Sequence, residues 1–151
     1  MATITQRHPR IRHGGEDHPA TVLVKAANTI VYGQMVINSS GEGAKAGNDP
    51  ANIMGIAKEA AAAAATLEYT GIVADTIIEI QCNSTTARSM LGESYSAVQG
   101  TDTNMVLLDK SDTTNEIFLV VGFLCDYSND EAIGDTYGTL LCKVREAYLV
   151  G

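Results

Sequence analysis

From Ala20 onward, apolar residues come in short runs that alternate with polar ones, separated by clusters of Gly, Asn, Asp and Ser. A period of two puts successive side chains on opposite faces of a strand, so this pattern predicts β-structure. In "TVLVKA", Val22, Val24 and Ala26 point one way and Leu23 and Lys25 the other. "DTIIEIQC" is the cleanest case, with Ile78, Ile80 and Cys82 on one face and Glu79 and Gln81 on the other. "TIVYGQMVIN", "NIMGIAKE", "TLEYTGIV" and "NMVLLD" also read as strands, and in "TYGTLLCKVREAYLV" Leu140, Cys142 and Val144 alternate with Leu141, Lys143 and Arg145. "EIFLVVGFLCDY" is unbroken, the pattern of a strand covered on both faces, and Gly122 within it suggests a bulge. "SSGEGAKAGNDPA" and "SNDEAIGD" read as loops, and "NSTTARSMLGESYSAV" carries no clear period. Short strands at roughly ten-residue spacing favour a mainly β fold, a small barrel or sandwich.

The chain has 151 residues, the size of one domain. It has no Trp and only two Phe, so its core is modest and subunit contacts are expected to add stability. Between two of the strand segments lie six consecutive alanines, residues 60–65. Alanine is the best helix former, so the run predicts one or two helical turns acting as a crossover, with Glu59 near the start. A plain loop is the alternative. Neither gives the run any chemistry.

Residues 1–19 are different. Pro9, Pro19 and the Gly14–Gly15 pair interrupt a stretch with little apolar content, which predicts an extended arm ordered on a partner, ahead of a β-rich body over 20–151. Residues 1–13 hold Arg7, Arg10 and Arg12 and no acid, a charge of +3. The remaining 138 residues hold 10 − 3 = 7 basic and 18 acidic groups, a charge of −11. A basic arm on an acidic body points to docking of the arm, and the acidic body argues against nucleic acid as a partner. No run approaches the roughly 18 apolar residues of a membrane span, and residues 2–20 lack a signal-peptide core, so no membrane partner and a non-secreted chain are expected. Cys82, Cys125 and Cys142 are far apart in apolar surroundings, as buried reduced thiols would be.

Little points to catalysis. His8, His13 and His18 all lie in the arm, so the body lacks the commonest general base, and the spacing of five makes a metal site unlike these residues. They are expected to be solvated. Asp75, Glu79, Asp102, Asp109, Asp112, Glu116, Asp126, Asp130, Glu131 and Asp135 are scattered. "DKSDTTNE", Asp109 to Glu116, has something of a calcium loop but lacks its central glycine and twelfth-position Glu, which leaves a solvated hairpin turn. "GEGAKAG" fits no phosphate-binding fingerprint. No cofactor and no enzyme activity are expected.

The stretch "TIVYGQMVINSSGEGAKAGNDPANIMGIAKEAA", followed by "YTGIVADTIIEIQ", resembles the decoration (cement) proteins of tailed-bacteriophage capsids. Shared elements are a G-x-x-V strand (Gly33 to Val36), a Gly-rich hairpin, an M-G-I-A strand (Met54 to Ala57), a small-residue segment and a strand ending G-x-V (Gly71 to Val73). The closing "FLVVGFLCDYSNDEAIGDTYGTLLCKV" is similar to the family's last hairpin, so the resemblance runs from residue 29 to residue 145. It implies a barrel-like or tulip-shaped domain, commonly a homotrimer. Such a trimer sits on the outer capsid surface of the virion, is made in the bacterial cytoplasm, and braces neighbouring subunits of the major capsid protein. It also implies that Arg7, His8, Arg10, Arg12 and His13 belong to a capsid-binding arm. The six alanines and the C-terminal "REAYLVG" depart from the family's pattern. Three other readings remain: a receptor- or glycan-binding head-fibre domain using Tyr32, Tyr69, Tyr95, Tyr127, Tyr137 or Tyr148; a small hydrolase or metal-dependent enzyme; and a bacterial β-domain without a virion.

Overall fold

The structure is a computed structural model that describes residues 4–15, 20–124 and 133–150. Among these residues there are eleven strands: β1 (Arg10–His13), β2 (Ala20–Leu23), β3 (Met35–Ser39), β4 (Glu42–Lys45), β5 (Ile53–Ala57), β6 (Thr66–Gly71), β7 (Ile77–Gln81), β8 (Ser94–Gln99), β9 (Val106–Asp109), β10 (Phe118–Phe123) and β11 (Thr139–Val144). The helical content is two single 3-10 turns, Arg88–Met90 and Glu146–Tyr148. The fold is mainly β, as the alternation predicts.

Two antiparallel sheets form, one in the order β1-β7-β11-β10-β8-β9 and the other β2-β6-β5-β3-β4. Both curl: in the larger sheet Cys82, next after β7, makes a single parallel bridge to Leu108 of the end strand β9, and in the smaller Val24, next after β2, makes one to Gly43 of β4. Neither seam becomes a ladder, so the molecule is a sandwich of two curled sheets and not a closed barrel. One apolar cluster lies between the sheets and inside the larger curl. It takes Met35, Ile53, Ile56 and Ile72 from the smaller sheet, and Ile78, Ile80, Phe118, Leu140 and Cys142 from the larger. A second, smaller cluster fills the inside of the smaller sheet, with Val24, Ile30, Val36, Met54, Ala57 and Leu67. β5 separates the two clusters and is buried along its whole length. Its pairing with β3 slips by one residue at Met54, which lets Ile53 and Ile56 face one cluster while Met54 and Ala57 face the other.

Four local expectations are corrected. The alanine run is not helical: it lies within the connection joining the antiparallel pair β5 and β6. Ala61 exchanges both backbone hydrogen bonds with Ile30, and the Ala64 N–H donates to the Val24 carbonyl. Ala64 holds a left-handed φ of 64°. A six-alanine helix is too short to be stable alone, so bonds to β2 and its neighbours win. The turn-rich "SSGEGAKAG" contains β4, paired with β3 through a tight turn at Ser40 and Gly41, both at positive φ. β10 is covered on one face only: Phe118 and Val120 are buried, while Val121 is 37% exposed. The segment from Asp109 to Glu116 is not a hairpin turn, because β8 lies between β9 and β10 in the sheet. It crosses the end of β8, where the Ser96 N–H donates to the Asp112 carbonyl.

Other readings hold. β10 and β11 make the expected antiparallel pair, with a register shift between Val120 and Gly122 at the predicted bulge. "REAYLV", which departs from the resemblance and has no expected place, packs against the core: Tyr148 and Leu149 lie on the larger cluster, and the Val150 N–H donates to the Ile53 carbonyl.

Candidate functional site

The polar face of β7 organises the site. Ile78, Ile80 and Cys82 enter the core as their alternation requires, yet Glu79 and Gln81, on the opposite face, are buried as well. Their cover is the N-terminal segment. β1 pairs antiparallel with β7, Arg10 opposite Glu79 and Ile11 opposite Ile78, so Ile11 packs on the core while Arg10 and Arg12 reach the carboxylate. Arg10 Nε donates to Glu79 Oε2, and Arg12 Nη1 donates to Oε1 at 2.9 Å. Before β1, the chain continues over Gln81: the Arg7 N–H donates to Gln81 Oε1 at 2.6 Å, and Gln81 Nε2 donates to the Thr5 carbonyl at 2.8 Å. The Arg7 guanidinium donates to the Thr139 hydroxyl at 2.7 Å. Thr139 is buried opposite Gln81 on β11.

Glu79 is 5% exposed, against 60% for Arg10 and 49% for Arg12. Burial alone would raise its pKa, but hydrogen bonds and charge from the two guanidiniums outweigh that and hold the carboxyl below its ordinary range. The site is therefore a buried carboxylate neutralised by two half-exposed arginines from the arm.

Two cavities lie where the arm crosses the body. One, of about 490 Å³, is lined by Ile4, Thr5 and Gln6 against Thr101, Asp102, Met105 and Tyr137. The other, of about 600 Å³, lies beneath Arg7 to Ile11 and is floored by Ile56, Ala57 and Thr70, with Tyr32, Gly33 and Lys58 at its side. Gly33 has a φ of 82°, and a Cβ there would sit 3.6 Å from the His8 ring. His8 Nδ1 is buried without a hydrogen-bond partner. Burial holds the His8 pKa below its usual value against the opposing charge of Asp102.

The structure brings together Arg7, Arg10 and Arg12 on β7, and places His8 at the larger cavity. His13 is exposed at the end of β1, opposite Ile77, and joins neither group. His8 departs from the expected solvated state, because it is half-buried between the arm and Gly33. His18 and the arm–body boundary at residue 19 lie outside the described residues, as do Cys125, Tyr127, Asp126, Asp130 and Glu131. Residues 4–15, expected to await a partner, are seated here on their own body. Glu79 and Gln81 were legible only as the face of a strand opposite Ile78, Ile80 and Cys82. The one signal of a different role was the surplus of arginine at one end of an otherwise acidic chain.

Elsewhere the polar groups look inward. Asp109 Oδ1 accepts from Asn83 and Ser111, and Asp112 from Thr114 and Asn115, so both carboxylates of the calcium-like segment are engaged by neighbouring donors. No group of three or more His, Cys, Asp or Glu among the described residues is arranged to hold a metal. Cys82 and Cys142 are buried free thiols with pKa values pushed up by burial. No helix among the described residues is long and apolar enough to cross a membrane. In comparison with known proteins, the chain matches no family model, no curated protein and no solved structure.

Proposed function

We propose that this protein is a structural virion component: a non-catalytic homotrimer that binds the outer surface of a bacteriophage capsid and stabilises it by bridging neighbouring major capsid subunits. The observation that carries the reading is the arrangement of a basic, strand-forming arm laid on an acidic β-sandwich. Such an arm suits docking twice over. Its backbone can add to a sheet edge, and its arginines offer forked hydrogen bonds to carboxylates. Many weak contacts of this kind, linked through a trimer and a shell, add up by avidity. The outer face of β10, where Val121 remains exposed, offers apolar surface for the subunit contact.

The test is the copy number of the chain in purified particles from its source, by quantitative mass spectrometry against the major capsid protein. A ratio near one to one is expected. Absence from particles would overturn the reading. A second reading, a receptor- or glycan-binding head-fibre domain, is favoured by one observation: Tyr32, which lines the larger cavity, is itself 72% exposed. A copy number of a few per cent together with glycan-array binding lost in Tyr32→Ala would favour it.

A further inference from the structure

The larger cavity has a composition unlike the rest of the molecule. The chain carries 18 acidic groups against 10 basic ones, yet the charged residues lining this cavity are Arg7, Arg10 and Lys58, with no carboxylate among them. Lys58 is exposed and makes no ion pair or hydrogen bond through its side chain among the described residues. The floor is apolar, Ile11, Ile56 and Ala57, and Tyr32 stands at the side with most of its ring in solvent. A volume of about 600 Å³ falls within the range of ligand sites.

The occupant follows from three features. Exposed Lys58, together with two half-exposed arginines, Arg10 and Arg12, that share the one carboxylate of Glu79, selects an anion. An apolar floor beside an exposed aromatic ring selects a hydrophobic side chain within it. The third is β1, which lines the cavity through Arg10 and Ile11 and has β7 as its one strand neighbour among the described residues. Its outer edge therefore offers backbone groups to an added strand. A small organic acid would use the first two features and leave the third idle. An extended peptide uses all of them.

We propose that this cavity binds an extended acidic peptide segment, which adds along the open edge of β1, seats one apolar or aromatic side chain on Ile11, Ile56 and Ala57, and sets carboxylates on Lys58 and Arg10. The arm is then the roof of a binding groove, and Arg10 serves Glu79 and the ligand together. The inference deepens the docking reading by naming the chemistry of the partner's segment, and it stands or falls on the isolated chain.

The test uses the full chain, labelled with ¹⁵N and titrated with the peptide Gly-Asp-Glu-Phe-Glu-Asp-Gly, blocked at both ends. Amide shifts are expected at Tyr32, Gly33, Lys58 and along His8 to Ile11. The Asn/Gln counterpart peptide is expected to bind the unaltered protein about tenfold more weakly, and Lys58→Glu and Tyr32→Ala each to weaken the acidic peptide about tenfold. Both substituted positions are exposed, and the spectra themselves report that the variants are folded. Absence of shifts at the highest soluble peptide concentration would overturn the proposal. So would shifts centred away from the cavity, or equal binding of the neutral peptide. A protein abundant in particles that ignores the peptide would remove the groove and leave the shell role standing. Peptide binding by a chain absent from particles would do the reverse.

Discussion

Glu79 depends on two arginines that are themselves half in water. Its carboxyl is held below the ordinary value of 4.5, so its contribution to stability is complete above that pH and is lost as pH falls through the lower folded value. Thermal melting followed between pH 6 and pH 3 should therefore decline more steeply for the native chain than for Glu79→Gln, with the difference opening below about 4.5. At neutral pH, the double variant Arg10→Ala with Arg12→Ala leaves a buried carboxylate uncompensated. Breaking a fully buried pair costs about 3–5 kcal/mol, and solvent around the half-exposed guanidiniums lowers the expected loss to about 2–3 kcal/mol. Adding Glu79→Gln to that double variant should restore part of the loss in urea melts. If it restored none, the arginines would be acting by packing and not by charge.

Among the elements, the alanine connection and the β5–β6 pair make opposite demands on small residues. Ala64 occupies the left-handed region, which glycine enters freely and alanine does not. Ala64→Gly should therefore stabilise the protein by up to about 1 kcal/mol, whereas in a helix the same change would cost about 1 kcal/mol. The sign of the shift in melting temperature decides between the two conformations. Gly55 admits no side chain at all: a Cβ there would lie 2.0 Å from the Thr70 carbonyl oxygen, on the adjacent strand β6. Gly55→Ala must push β5 and β6 apart between the two apolar clusters, and should cost about 3 kcal/mol or more, read as a lower urea midpoint or as insoluble protein. An unchanged midpoint would mean that the strand pair yields more easily than its close packing implies.

At the scale of the whole molecule, the N-terminal segment is part of the fold. It supplies a strand to the larger sheet, packs Ile11 on the core, covers Glu79 and Gln81 and roofs both cavities. Removing residues 1–14 should leave the two sheets folded, because the clusters inside them draw on residues from 22 onward, apart from Ile11. The loss of Ile11 burial and of the arm's hydrogen bonds should still lower stability by about 2–4 kcal/mol, measured by urea unfolding. A truncated chain as stable as the full one would make the arm a passenger.

The amino-acid sequence by itself determined the regularly alternating strands and their inward faces, but not β1, β4 or β8, which lie in stretches that read as arm, as loop or without a clear period. "DTIIEIQC" and "TLLCKV" alternate so regularly that their inward faces are fixed, and a slip of one residue would turn Ile78 and Ile80 away from Leu140 and Cys142; the bulge at Gly122 was legible as a glycine within an apolar run. It also determined that the charges are divided, with arginine at one end and carboxylates elsewhere. What the other face of each strand meets was not legible, since alternation records which side chains turn inward and not what lies across from the rest. "FLVVGF" reads as doubly covered and is open on one side, while Glu79 and Gln81, read only as the face opposite Ile78 and Ile80, are buried. The alanine run could not be placed from propensity, because its backbone is held by Ile30 and Val24, partners distant in sequence. The site itself was decided only by tertiary structure: pairing β1 with β7 sets Arg10 and Arg12 against a carboxylate more than sixty residues away. Contacts at such separation depend on how the sheets curl and meet, and no local pattern along the chain encodes that.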